Sequence, residues 1–549
     1  MGPYPVEPKQ LIHLSLPQGI TLDADVYYPQ GQGPFPVLLM RQPYGRAIAS
    51  TVVYAHPRWY ASHGYIVVIQ DVRGRGTSGG DFKLFQHEAE DGYATVLWAA
   101  NLPQSTGDVG MYGFSYQGMT QLYAASQRPA PLRTIVPAMI GYDLYRDWAY
   151  ENGALLLQQG LGWALQLAAE TARRQADPDA YQRLYQAAHQ LPLDDPTPDS
   201  PQVLRDLAPD SFFHDWLNHP QDDPYWQNLK PAMDPVDLPI LHIGGWFDPY
   251  LRGDLRLYRQ MVNQSRQPQH LWVGPWGHLP WSRQGGVRDF GAEADSPIDR
   301  LQLRWFDHFL KGQDWDLGQP TAVHLFEMGS NRWQSLDHWP QAEPHRLYLS
   351  STGLAAIDQQ DGQLGPTLAT HHPLGEDSIV HDPWRPVPSL GGHGGVPAGT
   401  FNRAAIDART DVLTYTTPVL TSPLRVVGGV TLELYCHSDR PTFDVSAVVS
   451  EVDADGRVLN LTQGYGRMHW ADREAPWQPG LIQLELQPTC FVIAAGHALR
   501  LSLAAACFPA YAVNSGSSQP LQPGVQMDYQ IITLTVAHGQ AHPSCLKLG

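Results

Sequence analysis

Val109-Gly110-Met111-Tyr112-Gly113-Phe114-Ser115-Tyr116-Gln117-Gly118 carries an apolar run through a glycine-flanked serine into a stretch of helical character. The spelling predicts strand, sharp turn and helix. On such a turn the serine backbone is strained, small neighbours let the chain pass closely, and the hydroxyl projects from the sheet edge. Ser115 is therefore the candidate nucleophile, and its chemistry requires partners elsewhere in the chain.

The flanking segments supply the sheet. Residues 21–28 alternate polar and apolar with period two, while 36–40 and 65–69 are short apolar runs bounded by turn residues, the mark of buried strands. Residues 51–64 and 88–100 carry helical spacing. Strands separated by helices predict an α/β-hydrolase-like, mainly parallel sheet, with Ser115 at the C-terminal end of a strand, where open α/β sheets place their ligands.

From about Tyr142 the pattern becomes helical, over 153–174, 179–190 and 202–207, with Pro- and Asp-rich joints such as 193–199. This predicts a helical cap inserted into the sheet domain. Strand signals return at 239–243 and 270–273, followed by an amphipathic helix at 301–310. Beyond Pro344 helices are expected to vanish. Residues 424–437, 443–452, 457–461, 481–486, 498–505 and 527–536 read as strands, with Asp455-Gly456 as a hairpin turn, predicting an all-β jelly-roll sandwich. The expected division is hydrolase core 1–142, cap 143–234, hydrolase core 235–343 and jelly roll 344–549.

Composition bounds the function class. A chain of 549 residues exceeds one ordinary core, and 43% hydrophobic with 16% charged residues is a folded composition rather than a disordered one. The net charge of −18, with no basic run, argues against nucleic acid or an anionic membrane as partner. There is no secretory leader pattern and no apolar stretch of the ~18 residues that a membrane helix needs, so a soluble cytoplasmic protein is expected. Met1-Gly2 fails as a myristoylation signal because position 6 is Val. Cys436, Cys490, Cys507 and Cys545 lack metal-ligand spacing and read as reduced, buried thiols. Asp453-Ala-Asp-Gly456 lacks the rest of a calcium loop. No metal and no cofactor is expected.

A serine hydroxyl is a weak nucleophile until a histidine takes its proton, and a carboxylate must fix that imidazole and stabilise its charged form. In α/β hydrolases these follow in the order Ser, acid, His, on loops after later strands. Asp248, in Gly244-Gly245-Trp246-Phe247-Asp248, and His278, in Gly274-Pro275-Trp276-Gly277-His278, stand just beyond the two resumed strands. For the oxyanion, the Tyr116 N–H follows the nucleophile at a helix N-terminus. The loop Arg41-Gln42-Pro43-Tyr44-Gly45-Arg46 has no glycine run, but Tyr44 offers a phenolic O–H, against the plain alternative of a packed loop aromatic. Gly74-Arg75-Gly76-Thr77-Ser78-Gly79 matches a dinucleotide-binding spelling, yet no helix follows it, so it reads as a tight structural loop.

These segments, with His219-Pro-Gln-Asp-Asp-Pro-Tyr-Trp226, Asp71-Val-Arg-Gly74 and Arg304-Trp-Phe-Asp307, resemble the cocaine esterase and X-Pro dipeptidyl-peptidase family of serine hydrolases, which includes α-amino acid ester hydrolases and acylases. The resemblance implies the three-part architecture, Ser115, Asp248 and His278 as triad, and the Tyr44 hydroxyl with the Tyr116 N–H as oxyanion hole. It implies that Gln117 is normal in the elbow. α-Amino acid ester hydrolases hold the substrate ammonium with an acidic cluster just after the catalytic aspartate, where this chain has Tyr250 and Leu251, and Asp147 alone does not rebuild it.

Trp148, Tyr150 and Trp163 from the cap, with Tyr250 beside the acid, are candidate walls of an apolar acyl pocket. The expected activity is hydrolysis of a small ester through an acyl-enzyme. The alternatives are X-Pro peptide cleavage or amide and β-lactam acylase activity, and, from another class, a non-catalytic carbohydrate-binding protein with a vestigial hydrolase core. A homodimer is an admissible assembly.

Overall fold

The computed structural model describes residues 2–17, 19–193, 200–315, 321–340, 344–368, 375–470, 478–517 and 529–549. Residues 194–199 of the predicted joint and 527–528 of the last predicted strand lie outside them. A ten-stranded sheet is built from β1 (Gln10–Ser15), β2 (Thr21–Tyr27), β3 (Phe35–Gln42), β4 (Ile66–Asp71), β5 (Ser105–Phe114), β6 (Leu132–Ala138), β7 (Ile240–Phe247), β8 (Gln269–Gly277), β9 (Val323–Glu327) and β10 (Arg332–Leu336). Their order is β1-β2-β4-β3-β5-β6-β7-β8-β9-β10. The central pairings from β4 through β9 are parallel, and antiparallel strands close both edges. Both faces are covered, so β3, β4 and β7 are buried along their whole length, which is why they read as unbroken apolar runs.

Within residues 51–64 only Pro57–Ser62 is helical. Proline lacks an N–H and disfavours helix in the residue before it, so the helix begins at Pro57, where His56 accepts from the Arg58 N–H at 3.2 Å. Helix Glu88–Ala100 forms over the predicted residues. The amphipathic segment extends to Ile298–Lys311, burying Ile298, Leu301, Trp305, Phe306 and Leu310 and stopping at Gly312, whose φ of 64° suits a left-handed C-terminal turn.

Between β6 and β7 lie a wide-turn helix, Leu144–Ala149, a two-residue hairpin, and helices Leu157–Arg174, Pro178–His189, Gln202–Leu207, Phe212–Asn218 and Pro224–Leu229. The last two, and Leu144–Ala149, are short and lie outside the predicted helices. Phe212–Asn218 and Pro224–Leu229 nevertheless carry start signals, because Ser211 and Asp223 accept backbone N–H groups of their first turns.

The C-terminal part is sheet-rich, with long antiparallel pairings of Leu424–Ser438 with Gly480–Ile493 and of Thr442–Val452 with Val458–His469. Among the described residues one short helix, Ala404–Asp407, interrupts it. The Asp455-Gly456 turn forms, with Gly456 at φ 79° and its N–H on the Asp453 carbonyl at 3.0 Å. The four cysteines are buried free thiols. A single apolar cluster joins Trp246, Phe247 and Phe326 of the first sheet, and Leu251 of the helix that follows Phe247, to Val426, Leu432, Leu484 and Phe491 of the second, so one shared core fixes the two parts against each other.

Candidate active site

The elbow takes the strained form its sequence predicts. Ser115 sits at φ 60° and ψ −127°, immediately before helix Tyr116–Ser126, and its N–H donates to the Ala138 carbonyl at 2.9 Å. A β-carbon on Gly113 would stand 2.5 Å from the Gln117 β-carbon, and one on Gly118 would stand 2.4 Å from Ile140, so the turn closes only with glycine at both places. As first residue of its helix, Tyr116 has an N–H without an intrahelical acceptor, which leaves it for a ligand. The Tyr116 ring points away from that role. Its hydroxyl donates to Glu88 at 2.7 Å and its ring stacks on Phe85 with centroids 4.5 Å apart.

The ends of β7 and β8 bring acid and base together. Asp248 Oδ2 and His278 Nδ1 are 2.6 Å apart, the carboxylate fully buried and the imidazole side chain 27% exposed. The acid is shielded while the base faces the solvent side. Asp248 Oδ1 accepts the Tyr250 N–H at 2.7 Å, and Gln487 Nε2 from the C-terminal part donates to the Trp246 and Asp248 carbonyls, both at 2.9 Å. Trp281 supports the base loop, its indole N–H donating to the His278 carbonyl at 3.1 Å.

Tyr44 lies at the same place. Its hydroxyl interacts with the Ser115 and Trp163 side chains, and burial pushes its pKa up to about 12, so it stays a protonated donor at neutral pH. The loop that carries it is tied to the elbow: Gln117 Nε2 donates to Gln42 Oε1 at 3.1 Å, and Gln42 Nε2 donates to the Gly45 carbonyl at 3.0 Å. Gln117 and Gln42 thus tie the Tyr44 loop to the elbow, contacts that the sequence reading missed. The available signal was a long amide at the elbow position usually given to a small residue.

Three of the four candidate aromatics pack in a row from His278. Tyr250 meets His278 edge-on at 5.0 Å between centroids, Trp148 packs on Tyr250 at 4.5 Å, and Trp163 on Trp148 at 5.3 Å. Phe114, which no sequence signal singled out, lies 5.2 Å from His278. Tyr150 belongs to the cap interior, with its hydroxyl on the Trp216 carbonyl at 2.9 Å and its ring stacked on Tyr145. Asp147 is fully buried and accepts Arg256 Nε and Nη2 at 2.9 and 3.0 Å. Its charge is already matched, and Leu251 is buried in the shared core.

Comparison with known proteins bears on the family. Residues 18–280 match the X-Pro dipeptidyl-peptidase (S15 family) model, and 316–547 match the model of the X-Pro dipeptidyl-peptidase C-terminal non-catalytic domain. Cocaine esterase of Rhodococcus sp. (strain MB1 Bresler) is 30% identical, the alignment covering 96% of each chain. The chain belongs to the S15 family. As an S15 serine hydrolase it shares its fold with an aminopeptidase from a marine sediment Thaumarchaeota archaeon, at a TM-score of 0.83 and 22% identity, covering 100% of this chain and 96% of that one. An α-amino acid ester hydrolase gives a TM-score of 0.79 at 21% identity, with coverage of 100% and 96%. Both structural likenesses extend through cap and C-terminal part alike.

Proposed function

We propose that this S15 hydrolase is a carboxylesterase working through an acyl-enzyme, with Ser115 as nucleophile, His278 as base, Asp248 as orienting acid, and the Tyr44 hydroxyl and Tyr116 N–H as oxyanion donors. The observation that carries the reading is the 2.6 Å contact of Asp248 with His278 Nδ1, which leaves Nε2 of the same ring for the Ser115 proton. Ser115 Oγ attacks the ester carbonyl as its proton passes to His278 Nε2. The tetrahedral oxyanion is held by Tyr44 and Tyr116. His278 then gives the proton to the departing alcohol, and the acyl-serine is cleaved by a water whose proton His278 takes in turn. The cap at 143–234 supplies the apolar wall through Trp148 and Trp163.

An ester without a free α-ammonium fits better than an aminoacyl substrate. Asp147, the carboxylate weighed for an ammonium in the sequence, is buried against Arg256, and Tyr250 and Leu251 occupy the places after the acid. Paired assays divide the readings: p-nitrophenyl acyl esters are expected to turn over faster than Gly-Pro-p-nitroanilide, and the reverse order overturns the ester preference. A fluorophosphonate probe is expected to label the protein and to fail on Ser115→Ala.

A further inference from the structure

The glycine-rich loop that the sequence offers as a dinucleotide decoy carries an unexplained side chain. Gly74 and Gly76 adopt φ of 69° and 52°, and β-carbons there would stand 2.1 Å from the Phe82 nitrogen and 2.0 Å from the Asp71 carboxylate. The tight path aims Arg75 inward, where it is completely buried. Its Nε donates to the Pro43 carbonyl at 2.8 Å, next in the chain to Tyr44. Its Nη1 donates to the Leu167 carbonyl at 3.1 Å and to Thr171 Oγ1 at 3.0 Å, both on the cap helix that presents Trp163 to Tyr44. The guanidinium carbon lies 4.8 Å from the Phe82 ring centre, and Phe82 in turn packs 6.1 Å from the Tyr116 ring. Arg75 thus touches the supports of both oxyanion donors.

Its charge is also unmatched. Among the described residues no carboxylate lies within ion-pair distance of Arg75, and Nη2 has no hydrogen-bond partner. Glu170, the acid acting most strongly on it, is paired with Arg173 at 2.6 Å, and Arg174 opposes it. Burial lowers the Arg75 pKa to about 10, which leaves it cationic at neutral pH. A buried guanidinium is ordinarily paired, because desolvation is costly without a counter-charge. An unmatched one beside an oxyanion hole stabilises negative charge as it develops there, in a medium where charges are weakly screened.

We infer that Arg75 is a positioning residue for the reaction: it staples the Tyr44 loop to the cap helix and supplies positive potential behind the two oxyanion donors. The inference rests on the role proposed above for Tyr44. A double-mutant cycle tests it, with kcat and KM for a p-nitrophenyl ester measured on folded protein. Arg75→Gln is expected to lower kcat about 10²-fold, the scale of one oxyanion donor, with KM within about twofold. Arg75→Lys, which keeps the charge and loses the fork, is expected to recover most of that loss. On a Tyr44→Phe background, Arg75→Gln is expected to cost only about threefold more, because the two act as one unit. If Arg75→Gln does not fold, the Arg75→Lys loss and its disappearance on Tyr44→Phe carry the test. A loss that multiplies fully with Tyr44→Phe, or a kcat within twofold of wild type, overturns the inference while leaving the oxyanion hole standing. No effect of Tyr44→Phe by itself overturns both.

Discussion

Among the described residues, serine, histidine and aspartate stand together in the C-terminal part as well as at the proposed active site, and the two arrangements differ. In the C-terminal part Ser351 Oγ donates to Asp377 Oδ2 at 2.6 Å, Ser351 Oγ and His538 Nε2 are 2.9 Å apart, and His538 Nε2 and Asp377 Oδ2 are 3.1 Å apart. Acid and serine crowd one ring nitrogen, and Nδ1 has no partner. At the hydrolase site the acid takes Nδ1, so Nε2 of the same ring is left for a different partner, and a proton taken there need not reach the acid. The backbone differs as well. Ser115 stands on a positive-φ turn at a helix N-terminus, while Ser351, Asp377 and His538 are all buried in the sheet-rich core. The same three residue types meet at a strand end and a helix start in one place and in a buried polar core in the other.

The sharpest way to break that contrast is to neutralise each acid. Asp248→Asn is expected to lower kcat on the order of 10⁴-fold, since the imidazole loses its anchored tautomer. Asp377→Asn is expected to leave the kcat of folded protein unchanged and to reduce stability instead. Burial alone would raise the Asp377 pKa, but the donors His538, Ser351, Tyr415 and the Ala355 N–H outweigh it and hold the carboxyl below its ordinary 3.8. A depressed folded pKa means stability present above the unfolded value and lost as pH falls through the folded one. The melting temperature of wild type is therefore expected to fall below that window more steeply than that of Asp377→Asn. Equal loss of kcat in both variants would erase the distinction.

Each cluster also has a tyrosine, which gives a smaller matched pair. Tyr44→Phe removes a donor at the proposed oxyanion position and is expected to lower kcat by about 10²–10³-fold with little change in melting temperature. Tyr415, whose hydroxyl donates to Asp377 at 2.8 Å, has the opposite profile. Tyr415→Phe leaves a buried carboxylate short of a donor, and is expected to cost ~1–3 kcal/mol of stability and no kcat. Steady-state kinetics and thermal melts on the two variants check both halves.

The contrast also explains which features are legible in the sequence. Ser115, Asp248 and His278 can be found because each follows an apolar strand and the elbow glycines advertise a backbone constraint. The long strands are likewise visible from period and apolar runs. Residues 345–350, 375–381 and 545–548 form strands that escape the pattern, because they are short and their pairing is set by distant partners such as Ile532–His538. Gln487 reaches the acid loop from 239 positions away in the chain, a distance over which no local spacing carries information. Arg75 was hidden differently: its motif reads as loop chemistry, and only the fold places the loop beneath Tyr44.

A second acid near Asp248 provides the smallest effect. Asp254 is buried on helix Leu251–Gln264, its Oδ1 accepts the Ile140 N–H at 3.0 Å, and its Oδ2 has no partner. Burial, and then the nearby Asp248 charge, push its pKa well above 3.8. The sign follows from linkage: the folded state binds a proton that the unfolded state releases above 3.8, so this group lowers stability progressively as pH rises from there toward its folded pKa. Asp254→Asn keeps an oxygen for the Ile140 N–H and cannot ionise. It is expected to hold kcat within about threefold, and to melt higher than wild type by a margin that widens with pH above 4, because the unfolded wild type alone gains from ionising. A margin that stays constant across that range would mean that Asp254 is already charged in the folded protein, and that the triad tolerates a second anion at its back.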